Sequence, residues 1–358
     1  GENLDKVFAS LMGVEGTSEF KTAAWSIIRT PAALLPTVWE TLSGEIYASS
    51  ENIIFKQSKA FNKDLSNRLY LISDEENKGG IGFWTSGIGT KGKIYQKGWA
   101  QADTEVWGAT VGADIELFDN FIVGAAVSAS KAKADFDKFA GKATSTNVTI
   151  SAYGIYSFPD NGFYTLGRIG IGFSDAKVER DIIVDNKGTK ATHLKTSHDD
   201  TVYSGYAELG YKYEINKNIK ITPFIGLMHD TVKRGKFSEK GHAFGLTAGS
   251  ETFSQTSGVV GVRAQAQVSK VKLSGHVTHV SAFNKEDLSF DATLTGDPAK
   301  TKYKVKGVSI PKNTTWVGIG AEIEAAQDLT VSISYDVAIE RSKVSDNVVS
   351  LGFRYKFK

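Results

Sequence analysis

The sequence of 358 residues has no cysteine and only 6 prolines. Without cysteine it has no thiol nucleophile, no disulfide and no zinc site built on thiolates. The absence also fits a surface-exported protein, in which stray disulfides would obstruct passage. No run of about 18 apolar residues occurs, which excludes a transmembrane helix. Signal-peptide features are also missing at Gly1, so we expect a mature fragment of a longer precursor.

An excess of charge of one sign is missing as well. The net charge is +2 and there is no concentrated basic face, so nucleic acid is not an expected partner. With 41% hydrophobic and 23% charged residues, the chain can bury a large core. What is abundant is glycine, at 36 residues, and aromatic side chains, at 11%. That combination in a proline-poor chain is typical of a β-barrel with aromatic girdles.

One long helix is predicted from Thr37 to Ile72. Thr37 to Glu40 has the capping-box pattern, and apolar residues then recur with helical spacing until glycines stop the pattern. At about 1.5 Å per residue this helix would be roughly 54 Å long. Charged and small residues on its other faces exclude contact with lipid, so we expect it inside a barrel. The residues assigned to this luminal helix are Thr37, Glu40, Ser43, Gly44, Glu45, Lys56 and Arg68.

From Gly80 onward, apolar residues alternate with small or polar ones, as in a strand with one face in lipid or core. Each alternating segment has at least the ~9–11 residues that a tilted strand needs to cross a bilayer. We find twelve such segments, near 81–92, 103–117, 121–134, 145–158, 163–178, 199–215, 219–233, 251–268, 271–284, 313–326, 328–341 and 346–357.

The connections alternate between tight turns and long polar loops, which is typical of an outer-membrane barrel with its long loops outside the cell. A soluble β-sandwich also alternates, but it rarely does so over a dozen strands. We therefore predict an all-β membrane protein: a twelve-stranded antiparallel outer-membrane β-barrel with an N-terminal α-helix in the lumen. The alternative for the helix is packing outside the barrel, in the periplasm.

Twelve strands enclose a lumen wider than side chains alone can fill and narrower than that of a porin. The chain is accordingly divided into a remnant or linker at 1–36, the luminal helix and linker at 37–79, and the barrel at 80–358. Inward positions predict a charged, wet lumen wall formed by Asp114, Glu116, Arg168, Glu208, Arg263, Glu322, Glu324, Asp336 and Arg354.

Three stretches resemble one family, the translocator domains of monomeric autotransporters, over residues 37–357. The strand Ile81–Gly92 looks like the first strand of that family. Residues 42–49 are similar to the helix before the barrel in members that export a subtilisin-like protease or an esterase. The alternating C-terminal end looks like the signal read by the assembly machinery of the outer membrane, with Val349, Leu351, Phe353, Tyr355 and Phe357 as its residues.

The resemblance implies a non-enzymatic, monomeric translocator in the bacterial outer membrane, which carries its own N-terminal passenger to the cell surface and is then plugged by its helix. The implied partners are outer-membrane lipids, the passenger, the assembly machinery and periplasmic chaperones. There are two departures from the family pattern. Lys358 follows the terminal aromatic, and Asn52, Asn62 and Asn67 stand singly, so self-cleavage between adjacent asparagines is not expected.

Other functions have weaker support in the sequence. A porin or adhesin barrel would share the strand pattern. His279 and Ser281 share an outward face, as in an outer-membrane phospholipase, but we find no third group to orient the histidine. His198 and His229, next to aspartates, have the composition of a rim protease. His193 and His242 lie in predicted loops with no ligand-spaced partner, so we expect neither a metal nor another cofactor.

Overall fold

The structure, a computed structural model, describes residues 18–72, 80–139, 141–159, 161–188, 190–284, 287–341 and 343–357. Four helices lie in this part of the chain: α1 (Ser18–Ile28), α2 (Leu35–Leu42), α3 (Glu45–Ser49) and α4 (Glu51–Ile72). Residues 1–17 of the predicted remnant, residues 73–79 of the linker and the terminal Lys358 fall outside the described residues.

Twelve long strands follow the helices, and each is antiparallel to both of its neighbours in the sheet. The strand Ile81–Ile94 pairs with Lys343–Phe357, and Ile219–Arg234 pairs with Glu251–Val268, so the ring is closed. The predicted twelve-stranded antiparallel barrel is confirmed. The strands are β1 (Ile81–Ile94), β2 (Ala102–Phe118), β3 (Phe121–Phe136), β4 (Lys142–Ser157), β5 (Phe163–Ile183), β6 (Ala191–Tyr211), β8 (Ile219–Arg234), β11 (Glu251–Val268), β12 (Val271–Ala282), β15 (Asn313–Ala326), β16 (Leu329–Glu340) and β17 (Lys343–Phe357), with the short β7 (Tyr213–Asn216) continuing the line of β6 along β8.

Side chains alternate between the two faces of this wall. On β1, Phe83 is 51% exposed whereas Trp84, the next residue, is 5% exposed. The outward face is lined by exposed large apolar residues on every long strand. The inward face carries many small and polar residues, together with some large ones such as Trp84 and Tyr164. This is the pattern of a barrel with lipid outside and a polar interior.

No helix in the described part of the chain combines the length and the apolar character needed to cross a membrane.

The two ends of the barrel differ in their connections. At one end the strands are joined by two-residue turns at 119–120, 217–218, 269–270 and 327–328, and Asn120, Ser269 and Asp328 adopt positive φ angles. At the other end most connections are longer. One exception is the connection between Glu340 and Lys343, which is short because β17 begins three residues before its predicted start.

Two of the long connections form a second sheet that the sequence analysis missed. Its strands are β9 (Phe237–Ser238), β10 (Leu246–Ala248), β13 (Ser289–Leu294) and β14 (Tyr303–Lys306), in the order β14-β13-β10-β9. With two to six residues each, these strands are too short for an alternating pattern to be recognised. We call this four-stranded unit the outer sheet.

The predicted single helix from Thr37 to Ile72 is wrong in its first third. Helix α2 ends at Leu42, and Gly44 has a left-handed φ of 73°, so the chain turns before α3. The predicted capping box is also not formed, because Thr37 lies inside α2, whose first turn begins after Leu34 with no side-chain cap. Only α4, from Glu51 to Ile72, is a long helix.

Two observations explain why a glycine occupies position 44. A left-handed φ is costly for any residue with a Cβ atom. A Cβ added there would also lie 2.4 Å from Leu246 Cδ1 and 3.4 Å from Val305 Cγ2, both on fully buried side chains of the outer sheet. The glycine therefore lets the α2–α3 turn touch the outer sheet directly.

We expect Gly44→Ala to destabilise the folded chain more than Gly98→Ala does. Gly98 also has a positive φ, 89°, but nothing lies within 4 Å of a Cβ added there. The control should cost about 1–2 kcal/mol for the backbone alone. Gly44→Ala should cost about 1–3 kcal/mol more because it overpacks the contact with Leu246. Urea unfolding of the detergent-folded protein measures both, and equal losses would show that the contact is unimportant.

Candidate functional site

Helix α4 lies inside the barrel. At about 1.5 Å per residue its 22 residues span roughly 33 Å, comparable to the hydrocarbon thickness of a membrane. Its first residue, Glu51, lies near His198 at the long-loop end, and Tyr70, near its last turn, lies 2.8 Å from Thr222 Oγ1. It contacts wall strands on several sides, including β3, β5 and β16. The alternative of a helix packed outside the barrel is therefore wrong.

In the described part of the chain, three basic side chains of α4 form ion pairs with the wall. Their N–O distances are 2.6 Å for Lys56–Asp346, 3.1 Å for Lys63–Asp336 and 3.4 Å for Arg68–Asp114. None of these six side chains is more than 15% exposed. Lys56 and Lys63 are two helical turns apart, so they reach the adjacent strands β17 and β16 from one face of the helix.

Uncharged side chains of α4 make contacts with other wall strands, β3 to β5. The Gln57 side chain donates to Ser130 Oγ at 2.7 Å and accepts from Ser145 Oγ at 3.0 Å, so both ends of its amide are paired. Ser66 Oγ accepts from Arg168 Nε at 3.0 Å. A buried amide or hydroxyl left unpaired would cost more than these bonds gain, so their pairing is what lets a polar helix occupy the lumen.

The wall also neutralises some of its own charge. Arg263 makes a forked contact with Glu208, at 2.5 and 2.9 Å, and Tyr164 donates to the same carboxylate at 2.6 Å. Tyr206 donates to its second oxygen. The guanidinium lies 4.7 Å from the ring centre of Tyr70 on α4. This cluster therefore touches the helix through an aromatic face rather than through a charge.

The residues predicted to line the lumen wall fall into three groups by location. Asp114 and Arg354 lie together beside Arg68, although the 3.8 Å separation of Asp114 and Arg354 is longer than a hydrogen bond. A second group consists of residues that contact α4 or Glu208, as described above: Arg168, Glu208, Arg263 and Asp336. The third group lies towards the tight-turn rim and is half-buried or exposed: Glu116, Glu322 and Glu324. Glu322 is 3.6 Å from Lys272, and Glu116 accepts from the backbone of Asn120.

Five of the residues assigned to the luminal helix lie instead at the long-loop mouth. They belong to α2, to α3 or to the turn between them: Thr37, Glu40, Ser43, Gly44 and Glu45. Thr37 is exposed, and Glu40 forms an exposed ion pair with Lys138 at 3.1 Å. Glu45 Oε1 accepts from the backbone of Ala100 at 2.7 Å. Burial raises the pKa of Glu45, and the Ala100 hydrogen bond opposes that shift.

The sequence analysis missed a buried polar network at this mouth. Arg180, from the extended end of β5, makes a forked contact with Glu239 at 2.8 Å through both Nε and Nη2. Tyr47 of α3 donates to Glu239, and Arg180 also donates to the carbonyl of Thr41. Burial, and next the Glu239 charge, raise the pKa of Tyr47. Arg180 and Glu239 are 59 residues apart in the chain, so no local sequence pattern could predict that they form a pair.

Apolar packing surrounds this network. Phe20 and Ile27 of α1, Val38 of α2 and Ile46 of α3 are almost completely buried, in one cluster with the outer sheet. The members from the outer sheet include Phe237, Leu246, Phe290 and Val305. Helices α1–α3 therefore pack against the long connections through an apolar core. Below them, α4 combines its polar contacts with a second apolar cluster, in which Leu65 and Leu69 pack with wall residues such as Ile122 and Leu166.

Small cavities remain beside α4. One of about 90 Å³ is bordered by Arg68, His276 and Arg354, and another of about 80 Å³ by Lys63 and Trp316. The helix thus fills most of the lumen and leaves small cavities beside it.

In the described part of the chain, the residues considered for a phospholipase or a rim protease do not form a catalytic site. His279 is exposed on the outer face and lies 2.9 Å from Thr315 Oγ1, and within the described residues no hydrogen bond joins it to Ser281. His198 points inward and bonds Asp200 at 2.6 Å, whereas His229 points outward and the adjacent Asp230 is buried. The pair His198–Asp200 is therefore buried rather than exposed at the rim. His229 and Asp230 are neighbours along a strand and face opposite sides, so they do not form a pair.

The search for a metal site gives a similar result. His193 lies in β6 rather than in a loop, because β5 and β6 extend beyond their predicted ends, and its Nδ1 is 2.8 Å from Asp181. No group of three or more potential ligands with metal-binding geometry is found among the described residues.

Comparisons with known proteins agree with this architecture. The family model described as "Autotransporter beta-domain" matches residues 83–336. The chain is 22% identical to an extracellular serine protease of Serratia marcescens over 343 residues, which cover 92% of the chain and 31% of that protein. It is 24% identical to outer membrane protein A of Rickettsia conorii over 285 residues, 74% of the chain and 14% of that protein. The chain therefore spans less than a third of the length of these curated relatives.

Two solved structures are similar in fold. The translocator domain of the autotransporter NalP from Neisseria meningitidis superposes with a TM-score of 0.67 at 19% identity, covering 84% of this chain and 98% of that one. The beta domain of the Bordetella autotransporter BrkA gives a TM-score of 0.55 at 15% identity, covering 78% of this chain and 100% of that one.

We expect Asp336→Asn to destabilise the barrel with its helix by about 1–3 kcal/mol. The substitution leaves Lys63 and His276 without the carboxylate that lies 3.1 and 2.7 Å from them. The loss should stay below the ~3–5 kcal/mol of a fully dry pair because neighbouring cavities admit water. Glu105→Gln is the matched control, since its pair with Lys91 is exposed and worth about 0–1 kcal/mol. Equal urea midpoints for both variants would contradict this role of the luminal pair.

Proposed function

The chain belongs to the autotransporter β-domain family, and from this premise we propose that it exports a passenger joined to its N-terminal side and is then closed by α4. The barrel is a translocator of the bacterial outer membrane, and a β-domain of this kind is not itself catalytic. The proposal concerns what precedes the barrel, the order of events and the residues that carry them.

The path of the chain is the observation that supports export. Helix α4 begins at the long-loop end, crosses the lumen and ends near the tight turns, where β1 begins. Long loops of outer-membrane barrels face the outside of the cell. Helices α1–α3 and any segment joined ahead of them would then be extracellular, and they reach that side through the pore that α4 occupies.

Closure of the pore is supported by the contacts of α4. Its lysines and arginine form ion pairs with carboxylates of the wall, and its amides and hydroxyls form hydrogen bonds with polar groups of other wall strands. An open porin would leave those wall groups to water. We accordingly propose Lys56, Lys63 and Arg68 as the helix residues that hold the plug, and Asp346, Asp336 and Asp114 as their partners.

The passenger and the cellular partners are also proposals. One relative is named an extracellular serine protease, and we propose a passenger of that general kind, a subtilisin-like protease or an esterase, ahead of the barrel. We propose periplasmic chaperones and the outer-membrane assembly machinery as partners, and a monomeric barrel. The proposed division at 1–36, 37–79 and 80–358 has its first boundary inside α2, so α2 is best assigned as a whole to the plug.

The proposed assembly signal lies at the barrel seam. Phe357 pairs with Ile81 in the β17–β1 register, and its ring packs edge-on against Phe83 with centroids 5.5 Å apart. All of its proposed residues face outward: Val349, Leu351, Phe353, Tyr355 and Phe357. This arrangement offers a row of apolar side chains to a binding partner before the seam closes.

A reporter domain fused ahead of Gly1 should become accessible to protease on intact cells. Deleting residues 357–358 should lower both barrel assembly and reporter exposure, because it removes the outward aromatic at the seam. Deleting Lys358 alone is the matched control and should leave both unchanged. Barrel assembly is followed by heat-modifiable migration on gels. A well-assembled barrel whose reporter stays inside the cell would refute the export function, whereas equal losses from the two deletions would refute only the aromatic signal.

Removing residues 1–72 should leave a folded barrel with a larger single-channel conductance and a lower melting temperature. The pore loses the helix that fills it, and the folded state loses the contacts that this segment contributes. Removing residues 1–50 retains α4 and should raise the conductance less.

Planar-bilayer recordings and heat-modifiable migration measure the two properties on the same preparations. If the chain without residues 1–72 conducts and melts as the intact chain does, α4 does not close the pore.

A further inference from the structure

Four buried polar side chains lie together where α4 begins. Glu51 is the first residue of α4, His198 and Asp200 are on β6, and Arg234 of β8 is opposite Asp200 in the strand register. None of the four is more than 5% exposed. The cluster therefore connects the outer end of α4 to the wall at the long-loop mouth.

This cluster lies beyond the apolar belt of the barrel. Asp199, between the two β6 residues of the cluster, is exposed and lies opposite the exposed Asp175 of β5. Both carboxylates are on the outward face, and two like charges side by side are not compatible with hydrocarbon. The wall at this height is therefore outside the membrane-spanning part, and the cluster belongs to the mouth.

Several polar atoms of the cluster have no hydrogen-bond partner in the described part of the chain. They are both carboxylate oxygens of Glu51, Nε2 of His198, Oδ2 of Asp200, and Nε and Nη1 of Arg234. Unpaired polar atoms in a buried site are costly. Arg234 uses Nη2 to donate to the carbonyl of Gly249 at 2.7 Å, so its guanidinium does not hold Glu51 by a hydrogen bond.

The contact between His198 and Asp200 determines which ring nitrogen carries a proton. Nδ1 of His198 lies 2.6 Å from Asp200 Oδ1, which also accepts from the backbone amide of Gly235 at 3.1 Å. Nδ1 is therefore the donor, and Nε2 of a neutral ring has only a lone pair. Nε2 lies 4.0 Å from Glu51 Oε1. These two acceptors repel each other unless one of them carries a proton.

The charges of the cluster lead to the same result. Two carboxylates and one guanidinium leave one negative charge uncompensated when the imidazole is neutral, and a buried site avoids such a charge by taking up a proton. Burial, and next the charge of Asp200, raises the pKa of Glu51 to about 8. Burial opposes protonation of His198, but the hydrogen bond to Asp200 and the charge of Glu51 outweigh it and raise the pKa of this histidine.

The other elements packed around the cluster do not supply the missing positive charge. The outer sheet places the ring of Phe237 beside the histidine, with ring centres 6.0 Å apart. On β11, the half-buried Glu251 lies opposite the guanidinium in the register and adds a negative charge. The pair Arg180–Glu239 at the same mouth is balanced within itself. A proton inside the cluster is then what neutralises it.

We propose that Glu51, His198, Asp200 and Arg234 form a proton-dependent latch for the outer end of α4, which binds one more proton when closed than when Glu51 is released. The latch is closed at acidic pH and weakens as the pH rises. This proposal rests on the closure of the pore by α4 proposed above, and it identifies the residues through which pH would act on that closure.

The pH range follows from the proton that the closed latch retains. An exposed histidine loses its proton near pH 6.5, whereas the buried cluster keeps one up to about pH 8. Between these values only the closed state holds the proton, so release should increase about tenfold per pH unit and roughly thirtyfold over the range.

The test is hydrogen exchange of the whole chain in detergent, with mass spectrometry of peptides from residues 45–56. The informative variant is Glu51→Gln, because glutamine keeps the shape and the donor of the protonated side chain but has no proton to lose. At about pH 6.5 the variant and the unaltered chain should exchange at nearly the same rate. At about pH 8 the unaltered chain should exchange roughly thirtyfold faster. Comparison of the two chains at each pH removes the intrinsic pH dependence of exchange.

Glu40→Gln is the matched control, since Glu40 is an exposed carboxylate of α2 beside Lys138, and it should behave as the unaltered chain does at both pH values. Equal exchange of Glu51→Gln and the unaltered chain at about pH 8 would overturn the proposal. Faster exchange of Glu51→Gln at both pH values would also overturn it, because ionised Glu51 would then be what holds the helix. Conductance of the chain without residues 1–72 tests closure of the pore, so the two proposals fail separately.

Discussion

Hydrogen bonding of the backbone in lipid is the constraint on which the rest of this structure depends. Hydrocarbon offers no partner to an amide or a carbonyl, so a sheet that crosses the membrane must close on itself. Here closure is achieved by the pairing of β1 with β17 and of β8 with β11. Closure at twelve strands leaves a lumen too wide for wall side chains to fill. Along each strand, apolar residues that face lipid alternate with mainly polar residues that face the lumen. A helix with many polar side chains can fill this wide lumen and form hydrogen bonds with its polar inner face.

The helix is held differently at its two ends, and the difference has a physical consequence. Within the lumen, α4 is held by buried ion pairs, by hydrogen bonds and by a small apolar cluster around Leu65 and Leu69. The net contribution of the ion pairs is reduced by the cost of desolvating their charges. At the mouth, α1–α3 bury apolar side chains such as Phe20, Ile27 and Ile46 against the outer sheet, in a larger cluster. Apolar burial contributes roughly 25 cal/mol per Å², so the mouth is the stronger anchor of the segment.

This division fits the proposed order of events. The apolar surface of the lumen wall, around Ile122 and Leu166, is smaller than that of the mouth. The apolar side chains of α1–α3 find partners only after they have emerged beside the outer sheet. The buried pair Arg180–Glu239 would then be completed by Tyr47 and by the carbonyl of Thr41. In this view the stopping point of the chain is determined at the mouth rather than inside the pore.

The sequence alone determined the barrel, because alternation along a strand is a local property: Phe353, Tyr355 and Phe357 face lipid for the same reason that Arg354 faces the lumen. It also identified Asp114, Glu208 and Asp336 as inward charges. It could not assign their partners, since Lys56 and Asp346 are 290 residues apart and helix-to-wall register has no local signature. Only the tertiary structure decided where the helix breaks, because Gly44 is left-handed where α2–α3 must touch Leu246. The outer sheet depends likewise on contacts between distant loops, which sequence periodicity does not record.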